Sequence, residues 1–377
     1  MRQRKFVLGL AFFFALAADL AARPLLWETV DLPRQDHLIE VFVADGYFVA
    51  HGKGGTVLRS LDGRLWDDVS LPASGDLGHG VSWNGRWVMS GADVGIWVSE
   101  DQGQSWTEAL LPVLSGDSFR PESVIVQSNG DLLSIGELPA AVPGPCWRTV
   151  ATSADGLTWV LQDQYELFGE HQDAIAVDGG IINAIFYGSL PECSAIPIIE
   201  AFAFDFYQGD ASSGLALLDR VELATLAVQR RAAVWHQNEL RWIGQTLVQV
   251  DPVLYQYWIA RAPLDVLNPQ HDRLTVGFEP FSVAIYRDQI VVGHVGRVSF
   301  VSMAGAVDEQ LLPVPDRSFR FASQADVLLG VGEGGLAVRG VPPPTLAVPI
   351  DDAPLLLLLA ALALLVGLGA ISSSRAS

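Results

Sequence analysis

Three copies of one short turn motif constrain the fold of this chain more than any other feature. Each copy has a serine, an aspartate, a glycine and a tryptophan at nearly constant spacing: Ser60, Asp62, Gly63 and Trp66; Ser99, Asp101, Gly103 and Trp106; Ser153, Asp155, Gly156 and Trp159. An aspartate early in a turn accepts hydrogen bonds from backbone N–H groups two or three residues on, and the serine adds a second such bond. Glycine supplies a positive φ without steric cost, and tryptophan covers the turn with apolar surface. The motif therefore predicts three tight β-turns, each anchored by an aromatic ring.

This motif resembles the Asp-box of BNR-type β-propellers, a family that includes sialidases, sortilin-like receptors and Ycf48-like photosystem assembly factors. In that family the box joins the third and fourth strands of a blade. The resemblance therefore implies an all-β propeller that covers most of the chain. In sialidases the boxes lie far from the active site, so the resemblance implies an architecture and not an activity.

A larger repeat, with a period of about 40 residues, surrounds the motif. Each copy has an inner strand, a two-residue turn, a second strand, a corner that contains glycine and a third strand. Asp-Gly, Asn-Gly and Gly-Gly turns join the first two strands of the early copies, and these are strong hairpin signals. Inner strands are predicted at 38–44, 81–83, 123–128, 174–178, 232–235, 283–286 and 319–323. The repeats predict a seven-bladed β-propeller over residues 23–340, with four strands in each blade.

The seventh repeat lacks a fourth strand, and the N-terminus contains a matching one. Residues 26–33 (LWETVDLP) match residues 65–72 (LWDDVSLP) almost position by position. We therefore expect the segment around Trp27 to close the ring as the outer strand of the last blade, where it would protect two open edges. The alternative is an isolated N-terminal edge strand. Residues 215–231 have apolar spacings that also suit a helix, but the fourth blade needs a strand there, and we favour the strand.

The two ends of the chain have the form of export and anchoring signals. Residues 1–22 combine basic residues, an apolar run and small residues, which predicts a secretory signal peptide; an uncleaved membrane anchor is the alternative. A proline-rich linker at 341–354 precedes an apolar transmembrane segment at 355–371 and a short tail at 372–377. This arrangement resembles bacterial exosortase sorting signals, although the terminal arginine cluster is missing, and a plain single-span anchor is the simpler interpretation. Both place the folded part outside the cytoplasm, at the cell envelope.

The net charge of the chain limits the partners that it can bind, and its two cysteines predict a disulfide. The formal net charge of -20 makes nucleic acid and anionic lipid poor partners. Cys146 and Cys193 fall in equivalent loops of the third and fourth repeats, and an exported protein meets an oxidising compartment, so we expect a disulfide between them. The alternative is two unpaired cysteines packed as small hydrophobic residues. We expect no cofactor and no metal, because the sequence has no Cys/His cluster with metal spacing and no familiar catalytic motif.

The start of each inner strand supplies the best binding candidates. Seven polar residues fall near these positions: His37, His79, Arg120, His171, Arg230, Arg231 and Arg320. In a propeller they would converge on one mouth of the central channel and could bind an anionic or polar partner. The alternative is that they bond to neighbouring blades or line a wet channel. Gly116-Asp117-Ser118 has the form of a hydrolase nucleophile turn, but no partner histidine follows from spacing, and a plain loop is the simpler interpretation.

Two functions remain open. The first is a monomeric, non-enzymatic propeller, tethered at the envelope, that binds an unknown protein or glycan as a scaffold. The second is an exported glycoside hydrolase, as some Asp-box propellers are. Hydrolysis would need two carboxylates facing each other about 5–10 Å apart. The rim carboxylates that could supply them are Glu40, Glu122, Asp173 and Glu279. Since none of them forms a recognisable motif, we favour the scaffold.

Overall fold

Short apolar segments separated by turn-forming residues fold as β-strands in the computed structural model of the protein. The structure describes residues 24–73, 75–114, 116–127, 129–138, 147–162, 280–302 and 306–344, and between residues 167 and 276 it describes the backbone of the strands alone.

The first strands, in chain order, are β1 (Leu26–Asp31), β2 (Leu38–Ala44), β3 (Tyr47–Gly52), β4 (Val57–Ser60), β5 (Asp67–Asp68), β6 (His79–Trp83), β7 (Arg86–Gly91), β8 (Gly95–Ser99), β9 (Thr107–Glu108), β10 (Val113–Leu114), β11 (Asp117–Ser118), β12 (Arg120–Val126), β13 (Leu132–Glu137), β14 (Trp147–Ser153) and β15 (Val160–Leu161). The later strands are β16 (Leu167–Phe168), β17 (Glu170–Val177), β18 (Gly180–Tyr187), β19 (Phe202–Asp210), β20 (Gly214–Leu223), β21 (Ala233–His236), β22 (Glu239–Val250), β23 (Val253–Pro263), β24 (Leu274–Val276), β25 (Pro280–Tyr286), β26 (Gln289–His294), β27 (Arg297–Val301), β28 (Val307–Leu311), β29 (Phe319–Gln324), β30 (Val327–Gly332) and β31 (Leu336–Val341). One short 3-10 helix, Lys53–Gly55, lies between β3 and β4.

Within the described residues these strands form seven antiparallel sheets of four or five strands, and β10 and β11 form a separate hairpin. Six sheets follow the chain order: β2–β5, β6–β9, β12–β15 with β16 beside β14, β17–β20, β21–β24 and β25–β28. The last sheet consists of β29, β30, β31 and β1. Residues 214–223 are a strand, as we favoured over a helix.

The first strand of the chain pairs with the last. β1 lies antiparallel to β31, with Trp27 opposite Gly340 and Val30 opposite Ala337. The Trp27 indole N–H donates to the side-chain oxygen of Gln310 in β28, and its ring meets Phe321 edge-on at 6.1 Å. The N-terminal segment therefore lies on the outer edge of the last sheet, the position that its sequence predicts.

Neighbouring sheets contact one another through their first strands. β2 contacts β6, β6 contacts β12, and the series continues through β17, β21, β25 and β29 to a contact between β29 and β2. The apolar cores lie between sheets: Phe48 and Leu58 of the first sheet pack with Leu329 of the last sheet. Residues Pro24–Val341 form one compact unit.

Glycine at the corner after the second strand lets two backbones approach closely. A Cβ on Gly52, Gly91, Gly136 or Gly332 would lie 2.0–2.4 Å from a backbone carbonyl oxygen at the start of the first strand of the same sheet. Such a distance is far below van der Waals contact, so the corner excludes any side chain. The predicted glycine corners at Gly52, Gly91 and Gly332 are therefore set by contact with the chain at or just before the first strand, and Gly136 shows the same contact.

β-Bulges occur at the start of four first strands. The register shifts between Leu38 and Glu40 in β2, between Pro121 and Ser123 in β12, between His171 and Asp173 in β17, and between Pro280 and Ser282 in β25. A bulge bends its strand and changes the direction of the side chains that follow. The bulges therefore change the direction of side chains at the same end of each first strand.

Several sequence predictions lie outside the described residues. They are the signal peptide, the linker beyond residue 344, the apolar segment at 355–371, the tail and both cysteines, Cys146 and Cys193. In the part of the chain that the structure describes, no helix has the length and apolar character needed to cross a bilayer.

Candidate functional site

The three predicted turns share one hydrogen-bond pattern. The buried hydroxyls of Ser60, Ser99 and Ser153 accept from the backbone N–H of Gly63, Gly103 and Gly156 at 2.9, 2.7 and 2.8 Å. Each hydroxyl also lies within hydrogen-bond distance of the aspartate, at 3.2 Å for Asp62, 2.9 Å for Asp101 and 3.0 Å for Asp155. The turns join the third and fourth strands of the first three sheets. The bonds expected from the motif are therefore present.

The aspartate of each turn binds backbone N–H groups further along the chain. Asp62 accepts from Arg64 and Leu65, Asp101 from Ser105, and Asp155 from Leu157 and Thr158. The backbone N–H of Arg64 is the main cause that lowers the pKa of Asp62. The hydrogen bond from the Ser105 hydroxyl is the main cause that lowers the pKa of Asp101, and the backbone N–H of Thr158 is the main cause for Asp155. The three carboxylates are held in their ionised form.

A backbone carbonyl of each turn also accepts a hydrogen bond from an arginine of the preceding sheet. Arg59 of β4 donates to the carbonyl of Gln102 at 2.6 Å, and Arg86 of β7 donates to that of Asp155 at 2.8 Å. Arg339 of β31 donates to the carbonyl of Asp62 at 2.7 Å. Trp66 and Trp159 bond to the glycine carbonyl of their own turn, whereas Trp106 donates to Val69 of the first sheet. The turns therefore link neighbouring sheets, which is a structural role.

A different set of residues occupies the same position along the first strands of four sheets. In four sheets, one residue of the first strand pairs with the residue just before the corner glycine. These residues are Arg320 opposite Val331, Glu40 opposite His51, His79 opposite Ser90, and Ser123 opposite Ile135. Their strands, β29, β2, β6 and β12, contact one another in that order. We call Arg320, Glu40, His79 and Ser123, together with His51 opposite Glu40, the polar layer.

Glu40 lies at the centre of the polar layer and contacts two imidazoles. Its Oε2 atom lies 2.9 Å from Nε2 of His51, and its Oε1 atom lies 3.7 Å from Nε2 of His79. The His51 side chain is fully buried, whereas Glu40 and His79 are 29% and 23% exposed. The cluster is therefore open to solvent through Glu40 and His79, with His51 behind them.

In the two histidines and the serine of this region, three buried polar atoms have no hydrogen-bond partner among the described residues. They are Nδ1 of His51, Nδ1 of His79 and Oγ of Ser123. Buried polar groups are normally satisfied, and an exception often marks a place where water or a ligand binds. The polar layer thus combines a shared carboxylate with unsatisfied polar atoms on three successive sheets.

The predicted rim residues do not all belong to this layer. His37 lies just before β2 and its Nδ1 is 4.0 Å from Glu333. Arg120 begins β12 and is exposed, where it lines a groove of about 560 Å³ with Asp93, Glu108 and Asp117. His171 lies in β17, whose backbone alone is described, and Arg230 and Arg231 lie outside the described residues. His79 and Arg320 are the predicted residues that the structure places in the layer.

Sequence reasoning missed His51. It lies in the second strand, one residue before a corner glycine, and its link to the site is the pairing with Glu40. The pairing register of β2 and β3 would have revealed it, but the bulge in β2 shifts that register by one residue. A histidine inside an otherwise apolar strand was the available signal.

Comparisons with known proteins identify the fold. No family model and no curated protein sequence matches the chain. Among solved structures, it is similar to an inactive variant of virginiamycin B lyase from Staphylococcus aureus with quinupristin, at 10% identity, 84% and 99% coverage of the two chains and a TM-score of 0.57. Ycf48 bound to D1 peptide has 15% identity, 85% and 100% coverage and a TM-score of 0.56. The WD40 propeller domain of Doa1 has 15% identity, 86% and 98% coverage and a TM-score of 0.53. The chain is therefore an all-β protein with a β-propeller fold.

Proposed function

We propose that the protein is an exported, envelope-tethered and non-enzymatic β-propeller that serves as a binding or assembly scaffold. In this proposal the seven sheets are the blades of one ring, β1 closes it, and the three serine–aspartate turns are Asp-boxes of the BNR type. The ligand site is the polar layer at one end of the first strands. The series of contacts from β2 through β29 back to β2 supports the closed ring.

The orientation of the two imidazoles is the main observation that favours a binding role over a catalytic one. His51 and His79 both direct Nε2 at Glu40, and both have a buried Nδ1. A general base needs a nitrogen or oxygen within hydrogen-bond distance of the proton that it removes. Both Nε2 atoms are directed at Glu40 and both Nδ1 atoms are buried, so neither imidazole is placed as a general base in the ligand-free protein. Glu40 and His79 are partly exposed and can still contact a polar partner.

A glycoside hydrolase is the alternative. It would use two carboxylates on opposite sides of a sugar. Of the four rim carboxylates that the sequence offered, Glu40 is engaged by two imidazoles, and this favours a binding role for it. Ycf48 with its bound peptide and virginiamycin B lyase share one fold, so the fold leaves both classes of function open.

Export and anchoring are supported by the sequence of the two ends. The basic and apolar start of the chain and the uncharged run at 355–371 agree with a signal peptide and a membrane anchor. The tethered scaffold would present the polar layer outside the cytoplasm.

Affinity capture with the tagged full-length chain tests the proposal. We expect the chain to retain a defined partner from membranes of its own source, and the His79→Gln variant to retain much less of it. An assay on sialoside and glucan substrates runs in parallel. Turnover that disappears in Glu40→Gln would reverse the order of the two functions.

A further inference from the structure

We infer that the polar layer is a binding site for an oxyanion, meaning a carboxylate or sulfate group, and that it binds this anion more tightly when His51 and His79 are protonated. The inference rests on the proposed function, because it names the ligand chemistry of the same site. It starts from the fully buried His51, whose Nδ1 has no partner among the described residues.

The charges of the layer depend on its imidazoles. When both are protonated, each can pair with Glu40, and the layer gains two positive charges. Imidazoles change charge between about pH 5 and 8. Protonation of the two imidazoles therefore makes the layer more positive, which attracts an anion.

The remaining charged groups on the elements around β2 and β6 do not cancel this change. β12 contributes Arg120 and Glu122, which have opposite charges, and β30 contributes no titratable side chain. β7 contributes Arg86 and β3 contributes Tyr47, both at the far ends of their strands. β17, which contacts β12, contributes Glu170, His171 and Asp173 at its start.

Hydrogen bonding fits an oxyanion as well. Ser123 lies at the same level in the sheet next to His79, and its buried hydroxyl has no partner among the described residues. A hydroxyl and a protonated imidazole both donate to anionic oxygens, and such charge-assisted bonds are stronger than neutral ones. Arg320 lies on the other side of Glu40 in the order of strands.

Calorimetric titration of the full-length chain in detergent with sodium sulfate tests the inference, because sulfate keeps its charge over this pH range. Sodium chloride at equal ionic strength is the blank, since exposed charges are screened by salt. We expect sulfate to bind at least about tenfold more tightly at pH 5 than at pH 8. Absence of binding at pH 5, or equal affinity at the two values, would overturn the inference.

Matched variants locate the effect. His79→Gln should reduce the pH dependence to about threefold or less, and Glu40→Gln should strengthen binding at pH 8 by removing the negative charge. His37→Gln is the control, because His37 also faces a carboxylate, Glu333, but lies outside the layer. If His79→Gln keeps the full pH dependence, or His37→Gln loses it, the assignment is wrong. Circular dichroism confirms the fold of each variant, and Glu40→Gln remains informative if His79→Gln unfolds.

A competition experiment identifies the kind of molecule that supplies the anionic group. A glutamate-rich peptide and an oligogalacturonate are each titrated against bound sulfate at pH 5, and the better competitor gives the source of the carboxylate. If neither displaces sulfate, the layer does not bind carboxylate groups, and that part of the inference is wrong. Sulfate binding without any captured partner would contradict the scaffold and leave the anion site, whereas a captured partner without sulfate binding would do the reverse.

Discussion

Arg339 in β31 donates from Nε to the backbone carbonyl of Asp62 at 2.7 Å, although 277 residues separate them. Arg339 also pairs with Glu28 of β1 at 2.9 Å, and Glu28 in turn binds Arg64 of the first turn at 2.7 Å. The hydrogen bond from Arg64 is the main cause that lowers the pKa of Glu28. One carboxylate therefore connects the N-terminal strand, the last sheet and the first turn.

Arg339→Ala should lower the free energy of unfolding by about 1–2 kcal/mol, because Arg339 is 11% exposed and its removal leaves the Asp62 carbonyl without this donor. Urea unfolding followed by tryptophan fluorescence measures the change. Arg64→Ala is the matched control, and we expect a smaller loss because its side chain is 57% exposed and screened by solvent. Equal losses in the two variants would contradict the linking role of Arg339.

Trp27→Ala should destabilise the protein by about 2–3 kcal/mol, somewhat less than for a fully buried tryptophan. The variant loses the contact with Phe321 and the hydrogen bond to Gln310. Thermal unfolding measures it, with Leu26→Ala, a 53% exposed neighbour on the same strand, as the comparison. A Trp27→Ala protein as stable as Leu26→Ala would mean that β1 contributes little to the last sheet.

Gly52→Ala should cost more stability than Gly54→Ala, although Gly54 has the positive φ of 65°. A Cβ on Gly52 meets the carbonyl oxygen of His37 at 2.0 Å, whereas one on Gly54 meets nothing within 4 Å. We expect about 3 kcal/mol or more for Gly52→Ala, a large effect for one methyl group. We expect about 1 kcal/mol for Gly54→Ala from the left-handed backbone. Urea unfolding ranks the two, and the opposite order would show that backbone conformation and not close contact selects glycine at the corner.

Asp101→Asn should make the protein less sensitive to acid. The Ser105 hydroxyl and then the Ser105 N–H lower the pKa of Asp101 in the folded protein. A carboxylate whose pKa is lower in the folded than in the unfolded state stabilises the fold above the unfolded value of about 4, and this contribution is lost as the pH falls further. The melting temperature of the wild type should exceed that of Asp101→Asn by a few degrees at pH 7, and this difference should shrink progressively as the pH falls below about 4.

Asp93→Asn provides the control for this experiment, because Asp93 is an exposed carboxylate outside the three turns. We expect its melting temperature to follow the wild type from pH 7 to pH 3. A constant difference between wild type and Asp101→Asn over the same range would show that the charge of the aspartate is not what the turn uses.

The sequence predicted the strands best where glycine marks the turns. Asp45-Gly46 and Asn84-Gly85 have positive φ at both positions, as two-residue hairpins require. In the sixth sheet the turn residues are Arg287 and Asp288, with φ of 48° and 62°, and the turn contains no glycine. This hairpin was predicted from the apolar strands on either side of the turn.

The candidate site was predicted in part, for a related reason. His79 and Arg320 follow from their positions at the start of first strands. His51 joins the site through a pairing that depends on a bulge, and a bulge has no reliable sequence signal. The pattern of the chain thus predicts which strands exist, but not the one-residue shifts that decide which side chains meet.

The pairing of β1 with β31 has a consequence for how the protein is made. A ribosome produces β1 at the outset and β31 only after the other sheets are complete, so the earliest strand must remain without its partner throughout synthesis. The native last sheet is a late event of assembly, and a truncated product that stops before residue 336 would retain every other sheet with its N-terminal strand unpaired.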